Sequence, residues 1–184
     1  MRFDETGALS AVLWPAALEH DGRVHIVLDG ARDHRIEPLV RSSRADYDCL
    51  YSGELSPRLH AAAPWLVRLS RTAPFTSDLI ALGWGRSWGI FAMTREEIAL
   101  GALRRHFRRF LKVRDEQGHT LLFRYYDPRV LRVYLPTCTR QEAELFFGPV
   151  ERFVMEGPSP SDVLSFERTA TGVAVQQLDL KVPA

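Results

Sequence analysis

Gly85-Arg86-Ser87-Trp88-Gly89 has the spacing G-x-S-x-G, which can hold a serine hydroxyl on a tight turn for nucleophilic attack on an acyl carbon. That chemistry needs a strand, then the turn, then a helix, with a carboxylate and a histidine supplied from later in the chain. The flanking sequence predicts the opposite order. Pro74 suits the first turn of a helix over residues 74–82, with Phe75, Leu79 and Leu82 on one face, and residues 89–93 read as a strand. The histidines after Ser87 are His106, inside a helical pattern, and His119, in a turn just after Asp115. The stretch is therefore read as a helix-to-strand corner. Gly83, Gly85 and Gly89 permit the turn, Gly83 as the left-handed end of the helix, and Trp84 and Trp88 are packing or interface anchors. A small serine hydrolase using Ser87 is the alternative. Gly83-x-Gly85 lacks the third glycine of a dinucleotide fingerprint and opens no helix.

The segment from Thr94 places Arg104, Arg105, Arg108, Arg109 and Lys112 on one side of a helix and Ala99, Leu103, Phe107 and Phe110 on the other. The plain reading is a solvated face whose cations complement the helix C-terminus. The functional readings are a surface for an acidic partner or, without any accompanying reader motif, for nucleic acid. The histidines at 20, 25, 34, 60, 106 and 119 show neither H-x-x-x-H nor H-E-x-x-H, and neither cysteine joins them, so no metal and no cofactor is expected. Asp29, Asp33 and Glu37 follow the first strand, where α/β proteins often place functional groups. Asp29-Gly30 equally makes a turn, and Asp33 a cap. Asp127-Pro128 is a strong helix start, with Arg124 or Arg129 placed to pair with the carboxylate.

Elements to position these groups are legible along all 184 residues. A short helix is expected over 8–18, a strand over 24–30, a weakly helical segment disturbed by Pro38, and strands over 48–51 and 65–70. Thr94-Arg95-Glu96-Glu97 reads as a capping box opening the longest helix, to about Lys112. A turn over 113–120, a strand over 121–126, helices from Pro128 and Thr139, a strand over 150–156 and a hairpin turning near Thr171-Gly172 complete the chain. The expectation is one α/β (mixed α+β) domain, a mixed central sheet flanked by helices. A net charge of +1 gives no global attraction to nucleic acid or anionic membrane. Of 24 basic residues only Lys112 and Lys181 are lysine. Cys49 and Cys138 are expected as thiols in a reducing compartment. With early acidic residues and Pro15 interrupting a short apolar run, the N-terminus does not read as a signal peptide, and a cytoplasmic location is expected.

Several stretches together resemble the type VI secretion effector-adaptor (chaperone) domain, long labelled as of unknown function. They are VHIVLDGARD (24–33), CLYSGEL followed by APWLVRL (49–69), PFTSDLIALGWGRSWGIF (74–91), LRRHFRRFLKVRDEQGHTLLFRYYDPRVLRVYLPT (103–137) and FFGPVERF (146–153). The resemblance implies a non-enzymatic adaptor that binds a cognate effector toxin in the bacterial cytoplasm and helps place it on the VgrG spike, without nucleic acid or membrane insertion. The motif positions are Asp29, Gly53, Leu55, Trp84, Gly85, Ser87, Trp88, Arg124, Asp127, Pro128 and Arg129. Candidate partner-binding residues are Asp29, Trp84, Arg86, Trp88, Arg104, Arg105, Arg108, Arg109, Arg124, Asp127 and Arg129. The adaptor domain is expected over 1–156, with its family-like core at about 24–155, and a short linker and hairpin over 157–184.

Overall fold

A computed structural model describes residues 3–15 and 22–181. The first half of the chain runs α1 (Phe3–Leu13), β1 (Gly22–Asp29), α2 (Ile36–Ser42), β2 (Tyr47–Cys49), α3 (Pro57–Ala61), β3 (Pro64–Leu69), α4 (Pro74–Gly83) and β4 (Gly89–Arg95). The second half runs α5 (Leu100–Arg108), β5 (Lys112–Arg114), β6 (Thr120–Leu122), α6 (Pro128–Tyr134), α7 (Arg140–Phe147), β7 (Val150–Glu156), β8 (Asp162–Arg168) and β9 (Val173–Asp179). Seven strands form one sheet in the order β2-β3-β1-β4-β7-β8-β9, while β5 and β6 pair separately. The α+β class is as expected, but the sheet is antiparallel at every pairing rather than mixed.

Alternation along the central strands sends side chains into two cores, one on each face of the sheet. Val24, Ile26 and Leu28 of β1 and Phe91 and Met93 of β4 meet Leu9 and Leu13 of α1, Ile36 and Val40 of α2, and Phe75, Leu79 and Ile80 of α4. Val27, Ile90, Ala92, Phe153 and Met155 face the other way, against Leu103 and Phe107 of α5, Leu131 of α6, and Phe146 and Phe147 of α7. Arg152 of β7 donates to the Val12 carbonyl at 3.0 Å, seating the C-terminal turn of α1 on the sheet.

Several sequence expectations are corrected. Thr94 opens no helix: it is buried in β4, opposite Arg23 and Val150, and α5 begins at Leu100 with Ala99 at its cap. Pairing with strands on both sides outweighs a local capping pattern. Consequently Lys112 lies in β5, off the arginine helix, and among the described residues α1 is longer than α5. A capping box does form at Thr139, whose hydroxyl accepts from the Glu142 N–H at 3.3 Å while the Glu142 carboxylate accepts from the Thr139 N–H at 2.8 Å. The turn expected over 113–120 is shortened by hairpin pairing on both sides. Strand β6 stops at Leu122 because Tyr125 and Tyr126 are both fully buried, which two successive strand residues facing opposite sides of a surface hairpin are not. Pro38 is absorbed in the first turn of α2, where a missing N–H breaks no helical bond. The helix expected over 8–18 ends at Leu13, and its residues 16–18, like His20, lie outside the described residues. Strands β8 and β9 extend the main sheet through the β7–β8 ladder. No helix among the described residues is long and apolar enough to cross a membrane.

A Cβ on Gly89 would lie 2.3 Å from the Val27 carbonyl oxygen, a backbone atom of the neighbouring strand that cannot retreat. Gly7, in α1, has nothing within 4 Å. Gly89→Ala is expected to lower stability by about 3 kcal/mol, while Gly7→Ala raises it by about 0.7 kcal/mol. Urea midpoints at unchanged slope measure both; equal effects of the two contradict the packing described.

Candidate functional site

Asp29 closes β1 and lies fully buried at the end of the sheet. Its N–H donates to the Trp88 carbonyl at 2.7 Å, and the next residue, Gly30, donates to the Ala63 carbonyl at 3.1 Å. The carboxylate accepts from the Ala31 N–H at 3.1 Å and from the Arg124 guanidinium, whose side chain reaches it from the turn after β6. Burial pushes the Asp29 carboxyl above the ordinary carboxylate range, and the Arg124 hydrogen bond pulls it back. In the same turn, the Asp127 N–H donates to the Arg124 carbonyl at 3.0 Å. Asp127 then caps α6, accepting from the Arg129 N–H at 3.0 Å and from the Arg129 guanidinium at 3.0 and 2.6 Å. Burial raises the Asp127 carboxyl, but the Arg129 fork and N–H outweigh it and hold it below the ordinary range. The two carboxylates sense each other's charge, and Arg129 senses Asp29 and Glu156. Burial and a hydrogen bond with Tyr51 also push the neighbouring Tyr126 hydroxyl up.

The glycine–tryptophan corner packs against this end of the sheet. Helix α4 runs through Gly83, and the Trp84 N–H still donates to the Ile80 carbonyl at 3.1 Å. Gly83 is not left-handed, contrary to the sequence expectation; the positive φ angles fall at Gly85 (77°) and Ser87 (57°). Gly83 is required by contact instead, since a Cβ there would lie 2.7 Å from the Trp88 indole. The Gly85 N–H donates to the buried Glu156 carboxylate, and the Trp84 indole N–H donates to the Pro160 carbonyl at 2.7 Å. Trp88 is buried, with the Arg35 guanidinium 5.4 Å from its ring centre. Arg35 in turn pairs with Asp33 at 2.6 Å, and Arg32 donates to the Arg86 carbonyl at 3.2 Å. Half-buried Trp84 and exposed Arg86 are the corner's accessible candidates.

Ser87 is buried in this corner, with a helix before it and a strand after it, and among the described residues no histidine bonds it. The Nε2 of His106 bonds the Phe146 carbonyl at 2.8 Å and its Nδ1 accepts from Arg109 at 3.1 Å, fixing the neutral tautomer. Burial and the nearby Arg109 charge lower the pKa of that imidazole. His119 is paired to Asp115 at 3.0 Å in the hairpin loop. Asp29, Asp33 and Glu37 do not act as one cluster: Asp33 binds Arg35, and Glu37 binds Arg41 and His60, both at 2.9 Å. Among the described residues, no three histidine, cysteine or carboxylate side chains are grouped to hold a metal ion. Both cysteines are free thiols.

The structure thus brings Asp29, Trp84, Arg86, Trp88, Arg124, Asp127 and Arg129 to one end of the sheet. The arginines of α5 belong elsewhere. Arg104 binds the Cys49 carbonyl at 2.9 Å and Asp48 at 3.0 Å, Arg109 binds His106, and Arg105 and Arg108 form no ion pair among the described residues. Sequence reasoning missed Glu156 and Pro160. A signal for Glu156 exists: it follows Val154 on the same face of β7, a carboxylate where alternation calls for an apolar residue.

Arg124→Gln leaves Asp29 buried without its cation and lifts its carboxyl further. The folded state then holds that proton more tightly than the unfolded chain, so stability falls as pH rises through the folded pKa of Asp29 and is regained on acidification. The expected loss is about 3 kcal/mol at pH 8 and clearly less at pH 5. Urea unfolding at both pH values measures it; a loss independent of pH contradicts the assignment.

A family model described as "Domain of unknown function (DUF4123)" matches residues 24–145. The match runs from β1 into α7, taking in Asp29, the whole corner and the turn from Arg124 to Arg129, and ending before Glu156 and Pro160. No curated protein and no solved structure matches the chain. The aspartate–arginine lock and the tryptophan corner both lie inside a match covering more than half of the sequence, and the chain belongs to the DUF4123 family.

Proposed function

We propose that the protein is a non-enzymatic adaptor that binds a cognate type VI secretion effector in the cytoplasm and helps load it onto the VgrG spike. The observation that carries this reading is the state of the groups at the end of the sheet where Asp29, the tryptophan corner and Asp127 meet. Asp29, Asp127 and Glu156 are each occupied by an arginine or a backbone N–H, and among the described residues no histidine or carboxylate bonds the Ser87 hydroxyl. Such a constellation orders a surface rather than turning over a substrate. Recognition needs a rigid scaffold with anchors and a charged rim, and its output is a population of complex set by affinity.

One observation favours a second reading: a serine at positive φ is strained, and strain collects at functional sites. A hydrolase using Ser87 would react with a fluorophosphonate probe, and Ser87→Ala would abolish that labelling. The adaptor reading accounts for the strain by the chain reversal that returns Trp88 to the core.

Two outcomes are expected. Co-expression with the toxin encoded beside it and with VgrG yields a complex that co-elutes on size exclusion, and excess toxin at about 100 times Kd stabilises the adaptor by about 2.7 kcal/mol in thermal unfolding. Ser87→Gly, which relieves the left-handed strain, retains the complex and gains about 1 kcal/mol of stability. An adaptor that elutes alone, or a Ser87→Gly protein that loses the toxin while still folded, contradicts the proposal.

A further inference from the structure

Away from the sheet end, α3, the end of α5 and the β5–β6 hairpin enclose a groove of about 460 Å³. Its floor is Leu50 and Leu111, both buried. Leu59 of α3 and Leu122 of β6, 46% and 52% exposed, also line it. Tyr51, Ser52, Arg108 and Lys112 complete the lining, which contains no carboxylate. Neither cation forms an ion pair among the described residues, whereas Arg104, one turn before Arg108, is held by Asp48 at 3.0 Å. The hairpin is a two-stranded ribbon exposed along all six of its paired residues, an arrangement of marginal stability by itself. On its far face, Val113 and Leu121 are opposite each other and also exposed.

We infer that this groove is a docking site for an amphipathic segment of a partner polypeptide, presenting leucine-type side chains to Leu59 and Leu122 and carboxylates to Arg108 and Lys112. The charge pattern selects that occupant. A second copy that met this groove with its own across a two-fold axis would bring both cation pairs into one patch, which like-charge repulsion opposes. A nucleic-acid strand needs a run of aromatic platforms and a longer cationic track, and this groove offers one half-buried tyrosine, Tyr51, and two cations among its leucines. A helix with apolar residues at i, i+3, i+4 and i+7 and acidic flanks satisfies both the leucines and the cations. That the segment belongs to the effector rests on the adaptor reading; the chemistry of the groove does not.

The probe is a fluorescein-labelled 16-residue helix-forming peptide with leucines at that spacing and glutamates between them; its counterpart carries lysines in place of the glutamates. By fluorescence anisotropy, the intact protein is expected to bind the acidic peptide with an affinity that weakens with salt, and to bind the basic one at least tenfold less tightly. Arg108→Glu/Lys112→Glu inverts that preference, and Leu59→Glu/Leu122→Glu abolishes both, each variant keeping the wild-type thermal midpoint. Absence of acidic-peptide binding, or binding unchanged in either double variant, overturns the inference. So does a DNA duplex that competes the peptide off. The same variants are then co-purified with the neighbouring toxin. Toxin retained by Arg108→Glu/Lys112→Glu removes the effector from this groove and leaves the adaptor reading standing. A wild-type protein that binds the peptide and not the toxin defeats the adaptor reading and leaves the groove.

Discussion

The ion pair between the buried Asp29 carboxylate and the half-exposed Arg124 guanidinium is the constraint on which the rest of the structure depends. A carboxylate without exposure at the end of a central strand is tolerable only with a cation and hydrogen bonds at hand. Arg124 supplies the cation from the other side of the chain, across a separation of 95 residues, and the Ala31 N–H supplies a further bond. The backbone of the same aspartate bonds the Trp88 carbonyl, so one residue ties the end of β1, the tryptophan corner and the turn before α6 into one body. Asp127, directly after Tyr125 and Tyr126, repeats the device on a smaller scale by binding Arg129, two residues on.

This arrangement separates two jobs. The family-matched residues at this end of the sheet are mostly engaged within the fold: Trp88 lies beneath Arg35, the Gly85 N–H bonds Glu156 from outside the match, and Asp29 binds Arg124. They shape a rigid end to the sheet. The groups of the proposed docking groove are of another kind, half-exposed leucines and cations without an ion pair among the described residues, carried on α3, α5 and the β5–β6 hairpin. Removing one partner of a buried charge pair damages folding, while altering an exposed leucine or arginine alters mainly association.

Much of this was readable from the sequence, and the failures have physical reasons. Near-continuous apolar runs marked β1, β3, β4 and β7, because a strand buried on both faces leaves an unmistakable hydrophobic trace. The pairing of Asp127 with Arg129 and its cap on α6 follow from local chemistry. The pairing of Asp29 with Arg124 does not, since it is made by tertiary folding alone. The two capping patterns are the sharpest comparison. Thr94-Arg95-Glu96-Glu97 and Thr139-Arg140-Gln141-Glu142 are nearly the same tetrapeptide, yet the first is a strand end and the second a helix start. What differs is the company: Thr94 continues an apolar run already paired on both sides, and Thr139 follows a tight turn at the surface. Gly83 shows the same limit from the other side, a glycine demanded by an indole ring that sequence spacing does not place against it.

The most direct measurement is a double-mutant cycle on the lock itself: Asp29→Asn, Arg124→Gln and the two combined, compared with wild type by urea unfolding at neutral pH. If the pair holds the end of the sheet together, the double variant is less destabilised than the sum of the singles by about 2 kcal/mol. Strict additivity within about 0.3 kcal/mol would mean that the two side chains act independently, and the lock would not exist.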